Sequence, residues 1–254
     1  MKGSLAFVTG ASAGIGEAVA RRFASEGADL VLWARRERRL ADLRTELQDD
    51  HGVKVHTARV DVRDREAVNS AAAKLLSDIG TPDILLNNAG LASGLSFIQE
   101  GDYEDWDRMI DTNLKGLLYV TRAILPAMVE RGTGHVINIG STAGHQVYPK
   151  GNVYNATKFG VKALTEGMNL DVAGTGVRVS SVDPGFVETE FSLVRFHGDE
   201  ARAESVYEGF EPLSAADVAD VVTFVATRPA HVNVHDVVLL PTAQRNVYVL
   251  DRKA

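Results

Sequence analysis

The sequence predicts an α/β fold: a doubly wound, seven-stranded parallel sheet with helices on both faces. Three observations carry the prediction. Short apolar runs alternate with stretches of helical spacing along almost the whole chain. The runs are near-continuously apolar, as strands buried on both faces require. No linker rich in Pro, Gly or Ser interrupts the alternation, and no short-period repeat is present. The 254 residues are therefore expected to form one domain, 1–254.

Leu5–Val8 is the first strand-like run, ending at Thr9-Gly10. Ile15, Ala18, Val19, Ala20 and Phe23 then repeat at helical spacing. Ala28–Trp33 reads as a second strand, and Leu40, Leu43 and Leu47 place one apolar face on the helix after it. Val53-Lys54-Val55 together with Ala58–Val62 reads as the third strand. Asp64 is placed to cap a helix carrying Val68, Ala71, Ala72, Leu75 and Ile79. Ile84-Leu85-Leu86 is a fourth strand, and a single long helix is expected from about Tyr103 to Arg131. Val136–Ile139 and Val177–Val182 are further strands, with a helix over Val153–Ala173 between them. Residues 186–210 read as irregular or short helices, the place for a substrate lid. Asp217–Thr227 is a helix and Val237–Leu240 the last strand, leaving a tail, Gln244–Ala254, that the pattern does not explain.

Composition excludes several classes of function. The chain has 27 Lys and Arg against 34 Asp and Glu, a net charge of −7, which argues against nucleic acid or an anionic membrane as partner. With no cysteine, disulfides, thiolate metal sites and a cysteine nucleophile are ruled out. The first apolar run is too short for a signal peptide or a membrane span, so a cytoplasmic protein is expected. His231 and His235 stand four apart with no third ligand at metal spacing, and no metal is expected.

The run Thr9-Gly10-Ala11-Ser12-Ala13-Gly14-Ile15-Gly16 lies between the first strand and first helix. Gly10 permits a tight turn, Gly14 lets a pyrophosphate approach the helix N-terminus, and Gly16 permits close helix–strand packing. A glycine turn serving packing alone is the alternative. After the second strand, where an NAD site places a carboxylate, the chain has Arg35-Arg36. Two guanidiniums there suit the 2′-phosphate of NADP. The alternative, that arginines merely solvate a helix start, suits Arg38 and Arg39 better.

Ser141 follows the fifth strand, at the carboxyl edge where open α/β sheets build their sites. Tyr154 and Lys158 are four apart at a helix start and share a face. An ammonium beside a phenol favours the phenolate and lowers its pKa from about 10, toward what alcohol–ketone interconversion needs. The Ser141 hydroxyl is available to bond the reacting oxygen. Alone, the Tyr–Lys pair also fits a helix-surface contact. Asn87-Asn88-Ala89-Gly90 reads equally as a strand-ending turn, and Asn113 as a mid-helix polar residue.

With these motifs in order, the chain resembles the short-chain dehydrogenase/reductase family over nearly its whole length. The matching positions are Thr9–Gly16, Asp61-Val62, Asn87–Gly90, Asn113, Ser141, Tyr154–Lys158 and Pro184-Gly185. The resemblance implies a Rossmann-type domain with strand order 3-2-1-4-5-6-7 and NADP across the switch between strands 1 and 4. It implies that Ser141 polarises the carbonyl, that Tyr154 moves its proton, and that Lys158 bonds the nicotinamide ribose. Asn113 would hold a helix irregularity and a relay water. Asp61 and Val62 would line the adenine site, Asn88, Ala89 and Gly90 the adenosine ribose, and Pro184, Gly185 and Val187 the nicotinamide. Ser12 and Ile15 belong to the phosphate loop. A homotetramer is also implied, with the helices near 103–131 and 153–173 at one interface.

Residues 100–245 are most similar to the NADP-dependent 3-hydroxy acid dehydrogenases, which act on serine, L-allo-threonine or malonic semialdehyde. Asn138–Gly144, Gly151–Tyr154, Glu190–Phe196 and Pro229–Asn233 carry that likeness. His145, Gln146 and Lys150, in the loop before Tyr154, are less typical of the group. A short hydroxy acid brings a carboxylate, and Arg195 is the candidate to meet it, an exposed lid arginine being the alternative. The rivals to this reading are a 3-oxoacyl-thioester reductase on the same scaffold and a nucleotide-sensing protein without turnover.

Overall fold

The computed structural model describes residues 1–253, so Ala254 at the end of the tail lies outside the described residues. Among the described residues seven parallel strands form one sheet, ordered β3-β2-β1-β4-β5-β6-β7. The strands are β1 Leu5–Thr9, β2 Asp29–Ala34, β3 Val55–Arg59, β4 Ile84–Asn87, β5 Gly134–Ile139, β6 Val177–Pro184 and β7 Asp236–Leu239. β1 pairs with β2 on one side (Phe7 opposite Val31) and with β4 on the other (Phe7 opposite Leu85). The chain direction along the sheet therefore reverses at β1, and a crevice opens between the carboxyl ends of β1 and β4.

Alternate strand residues feed two cores. Ala6, Val8, Leu30, Leu32 and Ile137 pack under α1 (Gly14–Ser25), α2 (Glu37–His51) and α9 (Ala215–Ala226). Phe7, Val31, Trp33, Leu85 and Val136 pack under α3 (Arg65–Asp78), α5 (Leu117–Arg131) and α6 (Asn152–Asp171). Asp64 caps α3 by accepting from Ala67 N at 3.0 Å, and Ser214 with Asp217 forms a capping box on α9. No helix among the described residues is long and apolar enough to cross a membrane.

Two element boundaries differ from the sequence expectation. The third strand covers Val55–Arg59 only, paired with Leu30–Ala34. Val60 and Val62 are buried against the second core without being in a strand, which is why their apolarity suggested one. The expected single helix at 103–131 is α4 (Tyr103–Ile110), a π-helical segment over Asp111–Gly116, and α5. A π segment widens one turn and shifts the side chains after it around the helix axis without a compositional mark.

Residues 186–210 carry two short helices, α7 (Phe191–Arg195) and α8 (Glu200–Ser205). The tail folds back over them. Gln244 Oε1 accepts from Phe186 N at 3.0 Å, and Arg252 donates to Val206 O at 2.9 Å. Tyr248 donates to Val147 O, joining the tail to the loop before α6.

Candidate active site

The carboxyl edge of the sheet opens into a cavity of about 570 Å³. It is lined by every site residue expected from the sequence except Gly16 and Asn113. Those two act one layer behind it.

The glycine loop explains itself sterically. Gly10 and Gly14 have φ of +66° and +55°, a region that favours glycine. A Cβ on Gly16 would lie 2.4 Å from Asn88 Nδ2 and 2.5 Å from Gly10 O. Ala13, which precedes α1, makes no side-chain cap, so the first N–H groups of α1 remain available to an anion. Asn88 braces the β1–β4 switch by donating to Thr9 O at 2.9 Å. Thr9 Oγ1 accepts in turn from Asn88 N and Ala89 N.

At the end of β2, Arg36 donates from Nε to Ser12 Oγ at 3.1 Å and forms an ion pair with Glu190 at 2.7 Å. Arg39 meets the other oxygen of Glu190, also at 2.7 Å. The sequence assigned Arg39 to solvating the helix; it instead shares the carboxylate of Arg36. Glu190 was noticed only as part of a motif, and its pairing across 154 residues has no local signal. Arg35 lines the cavity beside Asp61, whose carboxyl is held below its ordinary pKa by the hydrogen bonds from Arg63 and, more weakly, by the charge of Arg35.

At the other end of the cavity stand Ser141, Tyr154 and Lys158. Ser141 Oγ accepts from Ala143 N at 3.1 Å and faces Pro184 O at 3.4 Å. Lys158, buried, donates to Ile139 O at 2.9 Å, and its Nζ lies 5.9 Å from the centre of the Tyr154 ring. A Cβ on Gly90 would lie 3.3 Å from Asn113 Oδ1 and 3.8 Å from Lys158 Nζ, so the end of β4, the π segment and α6 converge there. Asn113, in the π segment, exchanges two bonds with the Leu91 backbone and donates to Thr157 Oγ1 at 3.0 Å.

One electrostatic expectation is corrected. Spacing suggested that Lys158 lowers the Tyr154 pKa. Burial instead pushes the Tyr154 phenol well above its ordinary value, and Tyr148 adds to the rise. A hydrogen bond with Ser141 and the charge of Arg195 oppose it. Burial also pulls Lys158 down to about 8, with the Asp183 carboxylate resisting. Desolvation is the largest cause, and the Lys158 ammonium is not among the groups that oppose it.

Arg195, at the end of α7, reaches into the same cavity. Its guanidinium carbon lies 5.5 Å from the Tyr148 ring and 5.7 Å from the Tyr154 ring. It donates from Nε to Gly94 O at 3.2 Å and forms no ion pair among the described residues. Tyr148 was missed by sequence reasoning, although it sits in the atypical loop that carries His145 and Lys150.

The comparisons with known proteins follow the same lines. The family model for short chain dehydrogenases matches residues 4–198. The chain is 46% identical to the NADP-dependent 3-hydroxy acid dehydrogenase YdfG of Escherichia coli K12, over 94% of this chain and 96% of that one. It is 46% identical to sulfoacetaldehyde reductase 2 of Chromohalobacter salexigens over 98% of both chains. A closed serine dehydrogenase complexed with NADP+ superposes with a TM-score of 0.90 at 46% identity, covering 96% of this chain and 97% of that one. The chain belongs to the short-chain dehydrogenase family. It is an NADP-dependent oxidoreductase, and the cavity suits that cofactor: a glycine loop at a helix start, arginines at one end and Tyr154 at the other.

Proposed function

We propose that this oxidoreductase interconverts a short 3-hydroxy acid and its 3-oxo acid, of the serine, allo-threonine, 3-hydroxyisobutyrate or malonic semialdehyde type. The observation that carries the reading is Arg195: a guanidinium without an ion-pair partner among the described residues, inside the cavity and 5.7 Å from the Tyr154 ring. A carboxylate held there leaves a carbonyl one methylene away within reach of the Tyr154 hydroxyl. A sulfonate one methylene from an aldehyde has the same layout, and the likeness to sulfoacetaldehyde reductases favours it as a second reading.

When bound, NADP would supply or take up the hydride at the reacting carbon. The protein's part is to place the oxygen and move one proton. Tyr154, whose burial keeps the phenol protonated, donates to the carbonyl oxygen in reduction and receives the proton in oxidation. The Ser141 hydroxyl bonds the same oxygen, and Lys158, beside Tyr154, would hold the cofactor's nicotinamide ribose. Asn113 holds the end of β4 against α6. Residues 186–210 close over cofactor and substrate as a lid. Exposed Leu118 and Val129 on α5, with Phe159 and Leu170 on α6, support a homotetramer, and the reading places the enzyme in the cytoplasm.

The test follows nicotinamide absorbance with NADP against serine, allo-threonine, 3-hydroxyisobutyrate, 3-hydroxybutyrate, 2-hydroxyethanesulfonate, a 3-oxoacyl thioester with NADPH, and an uncharged alcohol. Arg195→Ala should raise KM for the acids by about tenfold or more and leave the uncharged alcohol nearly unchanged. Equal effects on charged and uncharged substrates would remove Arg195 from the anion site. Turnover of the thioester alone would replace the whole reading.

A further inference from the structure

Directly behind Ser141 lies a set of charged groups that the reaction described above does not use. His145 follows the short turn that begins at Ser141. Its imidazole is bonded on both sides. Nδ1 lies 3.1 Å from Lys162 Nζ, and Nε2 lies 2.5 Å from Asp183 Oδ2. A lysine ammonium has only donors, so Nδ1 accepts and carries no proton. Nε2 then carries the hydrogen and donates it to the carboxylate. The bonding pattern selects a neutral imidazole in one tautomer.

The partners are themselves anchored. Asp183, on β6, is 2% exposed, and its second oxygen accepts from Ser181 Oγ. Asp236, on β7, lies 3.7 Å from Lys162 Nζ and 4.0 Å from His145 Nε2. One donor atom from each of His145, Asp183 and Asp236 lies within 4.8 Å of the others, and the cation they meet is the Lys162 ammonium.

The position of this set matters. Gly144 packs so closely on α6 that a Cβ there would lie 2.6 Å from Lys158 O. Lys162 is one helical turn beyond Lys158. Asp183 precedes Pro184, whose carbonyl faces the Ser141 hydroxyl. His145 thus ties together the three elements that carry Ser141, the Tyr154–Lys158 pair and Pro184-Gly185.

We propose that His145 is a positioning residue for turnover: as a neutral imidazole, accepting from Lys162 at Nδ1 and donating to Asp183 from Nε2, it pins the Ser141 turn to α6 and β6. The inference rests on the oxidoreductase activity of the family and not on the identity of the acid.

The experiment compares the full-length protein with His145→Ala and His145→Gln. Histidine ring nitrogen NMR, assigned by loss of the signal in His145→Gln, should show a neutral ring protonated at Nε2 at pH 7.5. His145→Ala should lower kcat by about tenfold, with KM for NADP changed less than about twofold. The glutamine amide offers one donor and one acceptor, so His145→Gln should restore kcat at pH 7.5. Wild-type kcat in His145→Ala would overturn the proposal, as would no recovery of kcat in His145→Gln or a ring protonated at Nδ1 at pH 7.5. If His145→Ala does not fold, a ring protonated at Nδ1 overturns it alone. If none of the acids is turned over, the acid reading fails separately, and the ring tautomer still decides on the pin.

Discussion

At the scale of single residues, Arg35 and Arg36 reach the cofactor pocket from different supports. Arg36 is tied to Ser12 in the glycine loop and to Glu190 beside α7. Arg35 lines the cavity next to Asp61. A 2′-phosphate arriving there gains charge-assisted hydrogen bonds, each worth more than a neutral one. Arg35→Ala with Arg36→Ala should therefore weaken NADP binding by about a hundredfold and NAD binding severalfold at most, read by quenching of protein fluorescence. Equal losses for both cofactors would mean that the arginines do not read the phosphate. The pair was legible in the sequence because its position after β2 is set by chain order. The field at Tyr154 was not legible, because it depends on burial and on Tyr148 and Arg195, which approach from other elements.

At the scale of elements, the β–turn–α units were readable from periodicity, and so were the motifs at strand ends. What escaped is what periodicity does not encode. The π segment Asp111–Gly116 changes only the phase of one turn, and its composition does not set it apart from an ordinary helix. Its purpose is visible at Asn113, which is 2% exposed and makes three hydrogen bonds, two to Leu91 and one to Thr157. Those bonds lock the backbone after β4 to α6 through Thr157 Oγ1, which itself donates to the Tyr154 carbonyl. Asn113→Ala leaves the Leu91 groups unsatisfied in a buried setting. It should lower unfolding stability by about 2 kcal/mol in urea melts and reduce kcat more than it raises KM for NADP. A variant with unchanged stability would show that water replaces the amide at no cost. The tail was illegible for a different reason: its partners, Phe186, Val206 and Val147, lie far away in sequence and offer mostly backbone groups.

At the scale of the whole molecule, the two cores leave one ionisable ring deep inside the sheet. His135 is on β5 and is 1% exposed. Its Nε2 lies 2.8 Å from Ser180 Oγ, and that hydroxyl donates to Asn233 Oδ1. The ring nitrogen Nε2 is therefore the donor, and Nδ1 is bare and without a partner. Burial, helped by the charge of Arg178, pulls the His135 pKa from 6.5 to about 3. Above pH 6.5 the ring is neutral in both folded and unfolded chains, and the fold keeps its full stability. Between 6.5 and about 3 the unfolded chain binds a proton that the folded chain refuses. Over that window His135 alone removes about 1.4 kcal/mol of stability per pH unit. His135→Gln keeps a donor for Ser180 and cannot titrate. Carboxylates titrate alike in both proteins, so the difference between their unfolding free energies isolates the ring. From pH 7.5 down to 6.5 that difference should stay constant. Below 6.5 it should change by about 1.4 kcal/mol per unit in favour of the variant. A difference that stays flat to pH 4.5 would mean that the ring finds water or a proton partner in the fold, and that the interior of the sheet is less dry than its packing implies.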